Sequence, residues 1–257
     1  MLIARVATGG GPRHGIVHGD VLLLVHGLTD LRPTGVQLPF TPHLLLAPVR
    51  PGTIYGMAHN TGPADRMLPP QAFLKPGHAA IGPGDPIPVP QGIGPVVAEA
   101  EVALVIGRPA RHRTLADALE VVLGYTAAND VTARSMQAQD SLWLAGKGFD
   151  GFTPLGPVID TELPVEADIR LDLDGAPVSR TTTTALARGF AEIIVYLSSI
   201  TTLQPGDVIL TGAPGADAEL RPGGQVTVTV AGLSLQNPVI APREPVALLE
   251  HYRKVLA

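Results

Sequence analysis

Cysteine is absent from this chain, which removes disulfide frameworks, thiolate nucleophiles and Cys-ligated zinc at once. Lysine is nearly absent as well: of 18 basic residues only Lys75, Lys147 and Lys254 are lysines. Where Arg is so strongly favoured, each retained Lys stands out as a compact point charge. No apolar run reaches the length needed to span a bilayer. The opening MLIARVATGGG lacks the charged start, apolar stretch and cleavage site of a secretory leader. The expected setting is therefore soluble and cytoplasmic, with no membrane partner. A formal charge of −5, with no basic run carrying interleaved aromatics, excludes a general nucleic-acid binder. GGGPRHG lacks both the Gly-Lys-Ser/Thr ending of a phosphate loop and G-x-G-x-x-G spacing, so it reads as a turn.

What is present is a chain of 257 residues, 45% hydrophobic, long enough for a large core. Its 29 glycines and 26 prolines favour many short strands joined by turns over a helical bundle. Residues 1–50 read as a small β domain built from LIARVATGG, RHGIVHGD and VLLLVHGL, with LAPVRPG (46–52) as a linker. Residues 51–257 form the larger domain. Within it Thr114 is the expected cap of a helix through LADALEVVL, with Asp117 in its first turn. Leu186, Phe190, Ile193, Ile194 and Leu197 recur at helical spacing over about 185–200. The end is rich in strands (DVILTGAP, QVTVTVAGL, LQNPVI) before a final helix around 245–255. The expected class is α+β, mostly β, without the regular alternation of a doubly wound sheet.

The stretch EAEVALVIG carries two acids, Glu99 and Glu101, on one face of a strand, because side chains alternate along it. Like charges so placed repel, and burial raises the cost unless something positive lies between them. A solvated strand end is the alternative. Asp130 closes the strand GYTAAND, and Arg134, Gln137 and Lys147 follow within seventeen residues. If Asp130 lies beside Glu99 and Glu101, the three form an all-oxygen cage for a hard divalent cation such as Mg²⁺, with Mn²⁺ or Ca²⁺ able to substitute. Read singly, Asp130 could equally be an Asn-Asp turn, and the two cations ordinary surface charge.

EAEVALVIG, LGYTAANDVTARSMQ, KGFDGFTPLGPVI, LQPGDVILTGAP and GLSLQN together resemble the fumarylacetoacetate hydrolase family, in its order and spacing, over roughly residues 54–240. The first 50 residues resemble the small β domain that often precedes its catalytic domain. The resemblance implies a β-roll catalytic domain, a homodimer and a Mg²⁺ or Mn²⁺ site. It assigns Glu99, Glu101 and Asp130 as metal ligands. Arg134, Gln137 and Lys147 would face substrate oxygens, and Thr211 and Gly212 would form a turn lining the site.

Family substrates are 2-oxo acids or β-diketones, whose adjacent oxygens chelate the metal while it stabilises the enolate left by C–C cleavage. Hydrolysis also needs a base for water. The family's lid often carries H-x-x-E after G-x-N-Y, whereas this chain runs Gly56-Met57-Ala58-His59-Asn60-Thr61-Gly62-Pro63-Ala64-Asp65 with no H-x-x-E. His59, oriented by Asp65, is the expected base; the alternative is a structural loop histidine. TGAP replaces the family's T-G-T-P at Ala213, and RPGGQ puts Gly224 where an acid is common. Trp143 and Phe149 are expected in the core or the pocket wall. Three functions follow. The first is a metal-dependent hydrolase cleaving a C–C bond in an acylpyruvate-like or β-diketone acid. The second is a decarboxylase, isomerase or hydratase of a 2-oxo acid on the same site. The third is a non-catalytic binding protein.

Overall fold

A computed structural model describes residues 1–242; the helix expected around 245–255 lies outside them. Chain order begins with β1 (Leu2–Val6), β2 (Arg13–His18), β3 (Val21–Gly27) and β4 (Asp30–Pro39). Next come β5 (Thr53–Ala58), β6 (Gln71–Pro76) and the short β7 (Ala80–Ile81) and β8 (Ile87–Pro88). The centre holds β9 (Val96–Ile106), β10 (Val122–Asn129), β11 (Thr132–Ala133), helices α1 (Arg134–Gln139) and α2 (Leu144–Lys147), and β12 (Thr153–Asp160). Then follow β13 (Asp168–Leu173), β14 (Ala176–Thr182), α3 (Phe190–Ile200), β15 (Val208–Leu210), β16 (Asp217–Glu219), β17 (Gln225–Val230) and β18 (Leu233–Ile240).

Two sheets enclose the main core. The larger runs β4-β3-β2-β1-β12-β10-β9-β15-β5-β6, and the smaller β14-β13-β17-β18-β8. The architecture is thus the mostly β, curled-sheet form expected. The N-terminal strands are not a separate sheet, since β1 pairs with β12 (Leu2↔Asp160, Ile3↔Ile159). Ala47 and Val49, in the expected linker, are buried in the same apolar cluster as Ile3 and Ile159.

β9 organises the rest. Its eleven residues are all buried, because β10 and β15 flank its second half while β11 and β16 flank its first. A strand covered on both sides and both faces reads as a near-continuous apolar run, and Glu99 and Glu101 are the exceptions within it. They do not lie at a strand mouth, as the sequence suggested, since β9 starts three residues earlier.

The helices need correction. Where LADALEVVL was expected to be helical there is a single 3₁₀ turn, Ala118–Val121, and β10 begins at Val122. Val121 and Val122 favour strand, and the ladder from Val122↔Ile106 to Asn129↔Ala100 outweighs the local helical pattern. The cap is also reversed. The Asp117 carboxylate accepts from the Thr114 N–H (2.7 Å) and hydroxyl (3.0 Å), closing a turn. The helix expected from 185 starts only at Phe190, with the Glu192 carboxylate accepting from the Gly189 N–H at 3.0 Å.

At Gly56 on β5, an added Cβ would meet the Phe73 ring of β6 at 2.1 Å. Gly56→Ala should therefore lower unfolding stability by about 1–3 kcal/mol through overpacking. The check is urea denaturation, with the midpoint falling at unchanged slope.

Candidate active site

The edge of β9, the turn after β10 and the two short helices meet at one cleft of about 500 Å³. Glu99, Glu101 and Asp130 line it, each offering an oxygen within 4.8 Å of the others. The backbone explains the convergence. Glu99 and Glu101 share a face of β9, and the Asp130 N–H donates to the Glu99 carbonyl at 2.9 Å. The Asn129 side-chain oxygen accepts from the Glu99 N–H at 3.0 Å, so the Asn-Asp pair clasps β9 from both sides of one residue.

Three cations compensate the acids. The buried Lys147 ammonium lies between Glu99 (2.7 Å) and Asp130. Lys75, reaching in from β6 and equally buried, donates to the other Asp130 oxygen and to the Phe152 carbonyl at 2.7 Å. Arg134, at the start of α1, bridges Glu99 (2.8 Å) and Asp217 (3.0 Å). The Thr132 hydroxyl adds a bond to Glu99 at 3.1 Å. Burial alone would raise the Asp130 carboxyl, but Lys147 and Lys75 outweigh it and hold it below its ordinary value. Lys147 is held high: burial works against its charge, and Asp130 and Glu99 overcome it. At Lys75 burial wins and pushes the ammonium down.

Glu101 differs. Its one hydrogen bond among the described residues is from the Gly212 N–H, at 2.7 Å, and no cation pairs with it. Burial, with Asp130 and Glu99 nearby, pushes its carboxyl well above the ordinary range. A divalent cation suits this donor set: all ligands are oxygens, and the acid without a cationic partner sits among them. Glu99, Glu101 and Asp130 would hold it.

The remaining expected residues are distributed unevenly. Gln137 lines the cleft, its amide oxygen 3.4 Å from Arg134 Nη1. His59 lies at the lip with a left-handed backbone (φ 52°) and its ring 5.8 Å from Trp143. Asp65 makes no hydrogen bond to His59; it accepts from the Thr61 N–H (2.8 Å) and hydroxyl (2.9 Å). Gly212 lines the cleft at φ 109°, where a Cβ would come within 2.3 Å of the Asn60 carbonyl oxygen. The Thr211 hydroxyl instead donates to the Val102 carbonyl at 2.9 Å, inside the sheet. Trp143 and Phe73 are wall, their rings 5.3 Å apart, while Phe149 packs on Phe152 at 5.0 Å.

Sequence reading missed Lys75, Thr132 and Asp217 as members of this cluster. Only the scarcity of lysine pointed to Lys75. Asp217 comes beside Glu99 through the β16–β9 ladder, a register that no local pattern announces.

Because Lys75 neutralises a carboxylate out of water, Lys75→Met should lower unfolding stability by about 3 kcal/mol. Chemical denaturation at neutral pH reads the loss; Lys75→Arg, which retains charge, should recover part of it.

Residues 53–240 match the family described as fumarylacetoacetate (FAA) hydrolase C-terminal, and residues 1–48 match Rv2993c-like, N-terminal. Protein Rv2993c of Mycobacterium tuberculosis is 36% identical, over 95% of this chain and 100% of its own. A solved structure of 5-carboxymethyl-2-hydroxymuconate delta-isomerase from Mycobacterium smegmatis superimposes with a TM-score of 0.87 at 36% identity, covering 94% of this chain and 100% of that one. Maleylpyruvate hydrolase from Sphingobium sp. SYK-6, solved with manganese (II) and pyruvate, gives 0.78 at 26% identity, covering 95% and 100%.

Proposed function

The chain belongs to the fumarylacetoacetate hydrolase family, and on that premise we propose that it is a divalent-cation-dependent enzyme cleaving a C–C bond in an acylpyruvate-like or β-diketone acid. The observation that carries the reading is the buried trio Glu99, Glu101 and Asp130, with Lys147 among them. A scaffold has no use for such costly charge. We take residues 51–257 as the catalytic part, Mg²⁺ as the resident ion with Mn²⁺ or Ca²⁺ able to replace it, and a cytoplasmic homodimer as the assembly. The family resemblance supports these assignments. Among the described residues no helix is long and apolar enough to cross a membrane.

Charge balance supports a small monoanionic substrate. Four carboxylates (Glu99, Glu101, Asp130, Asp217) face three cationic side chains (Lys75, Lys147, Arg134). With a divalent cation bound and Glu101 thereby ionised, four negative and five positive charges leave an excess of one, which a 2-oxo carboxylate neutralises. When bound, the cation would supply Lewis acidity to the substrate.

The chain's own groups do the remainder. Lys147 keeps a fixed positive charge where negative charge grows as the bond breaks. Arg134, two-fifths exposed at the rim, meets the incoming carboxylate. Gln137 orients an oxygen, and Trp143, Phe73 and Met57 exclude bulk water from the acyl side. In hydrolysis His59 takes a proton from water, whose oxygen attacks the acyl carbonyl. The electrons of the broken C–C bond pass to the oxo-acid fragment, whose carbon then takes the proton back from the His59 imidazolium, which returns to the neutral base.

One observation favours decarboxylation or isomerisation as a second reading: among the described residues His59 has no carboxylate partner to orient it as a base, Asp65 being engaged by Thr61. The relative named as a delta-isomerase is consistent with that reading.

Calorimetry should show saturable Mn²⁺ binding that Asp130→Ala abolishes; no binding to the unaltered chain would overturn the proposal. A panel of acylpyruvates and oxaloacetate, followed by enol absorbance and by CO₂ release, separates the readings. On the substrate so found, Lys147→Met should cost about 10²–10³-fold in kcat. His59→Ala should cost about 10²-fold or more if hydrolysis is the reaction; full kcat in that variant removes His59 as the base.

A further inference from the structure

Arg188 is buried, 7% exposed, yet its guanidinium pairs with no carboxylate among the described residues. It donates instead to three backbone carbonyls of one loop: His59 (3.3 Å), Asp65 (3.3 Å) and Leu68. These carbonyls come from both limbs of the 59–68 segment, so one planar fork with several fixed donors ties the two limbs to a single anchor. The anchor is firm, because Arg188 lies just ahead of α3, whose Ile193, Ile194 and Leu197 are in the main core.

A second buried side chain completes the attachment. The Asn60 amide donates to the Thr211 carbonyl (2.7 Å) and the Arg188 carbonyl (3.1 Å), and its oxygen accepts from the Arg188 N–H (2.7 Å). Thr211 precedes Gly212, the donor to Glu101. The loop, the acid trio and α3 are therefore joined through consecutive hydrogen bonds. At the loop's start sits His59, held at φ 52°. A non-glycine residue keeps that conformation only when its surroundings enforce it, and its own carbonyl is one of those Arg188 grips.

We propose that Arg188 is a positioning residue: it straps the 59–68 loop in a closed state before ligand arrives, fixing His59 and Trp143 as a preformed wall of the pocket. The catalytic consequence rests on the proposed function above, whereas the strap itself is testable without any substrate. Pre-organisation removes the ordering cost that a loose loop would pay on binding.

Two features of the full chain give activity-free readouts. Arg66, 56% exposed within the loop, offers trypsin the Arg66–Met67 bond, and Arg180, 74% exposed on β14 of the smaller sheet, serves as an internal reference. Trp143 is the one tryptophan, so acrylamide quenching reports the His59–Trp143 wall directly. In Arg188→Met, cleavage at Arg66 relative to Arg180 should rise at least tenfold, and the quenching constant about twofold. Mn²⁺ affinity should stay within threefold of the unaltered chain. Arg188→Lys, which keeps the charge with fewer directed donors, should fall between, and it serves if the Met variant does not fold. An unchanged cleavage ratio with unchanged quenching overturns the strap. On a substrate identified as above, kcat should drop tenfold or more with KM moving less than threefold. A loosened loop with full kcat overturns the positioning role alone, and absence of any metal-dependent activity overturns the proposed function while leaving the strap standing.

Discussion

Asp130 accepts hydrogen bonds from two ammonium groups, Lys75 and Lys147, all three almost fully buried at the floor of the cleft. A carboxylate stripped of water costs several kcal/mol unless such partners compensate it. Each partner arrives from a different element: Lys75 from β6, Lys147 from the end of α2, Asp130 from the turn after β10. The compensation therefore also fixes positions, since moving any one of the three leaves a buried charge exposed to low dielectric. The acid trio is held to one arrangement by its own electrostatics before any ligand is considered.

The cluster's two sides behave differently. On the Asp130 side, charge is saturated and every oxygen has an ammonium donor. On the Glu101 side, one backbone N–H is the sole partner among the described residues, and burial holds the carboxyl high. That asymmetry gives the centre a direction: the under-compensated face is the one turned to the Gly212 turn. The outer wall of His59, Trp143 and Phe73 is built from aromatic rings, which suits an organic tail more than a second strong anion.

The parts legible in the sequence were those whose chemistry is written locally. Glu99 and Glu101 share a face because strands alternate, and Asp130 follows a strand ending in Asn. Lys147, Arg134 and Gln137 sit in motifs whose joint spacing resembles a family. The parts that were not legible depend on non-local ladders. Asp217 reaches the site only through register with Glu99, and Lys75 only because β6 pairs with β5 at the end of the large sheet. Residues 114–122 have a helical apolar pattern, yet pairing with β9 captures the segment from Val122 onward. Arg188 and Asn60 act on backbone carbonyls distant in sequence, and such pairings leave no periodic trace.

The continuity of β1 with β12 bears on what the N-terminal strands do for the large sheet. Ile3 and Ile159 face one another across that seam, both fully buried, and β2 to β4 extend outward from it. The first four strands are thus a graft on a flank rather than a bead on a tether. Cutting them away would bare part of a central strand's unpaired N–H and C=O groups, the kind of sticky margin through which β proteins aggregate. β1 therefore serves as the shield along the flank of β12.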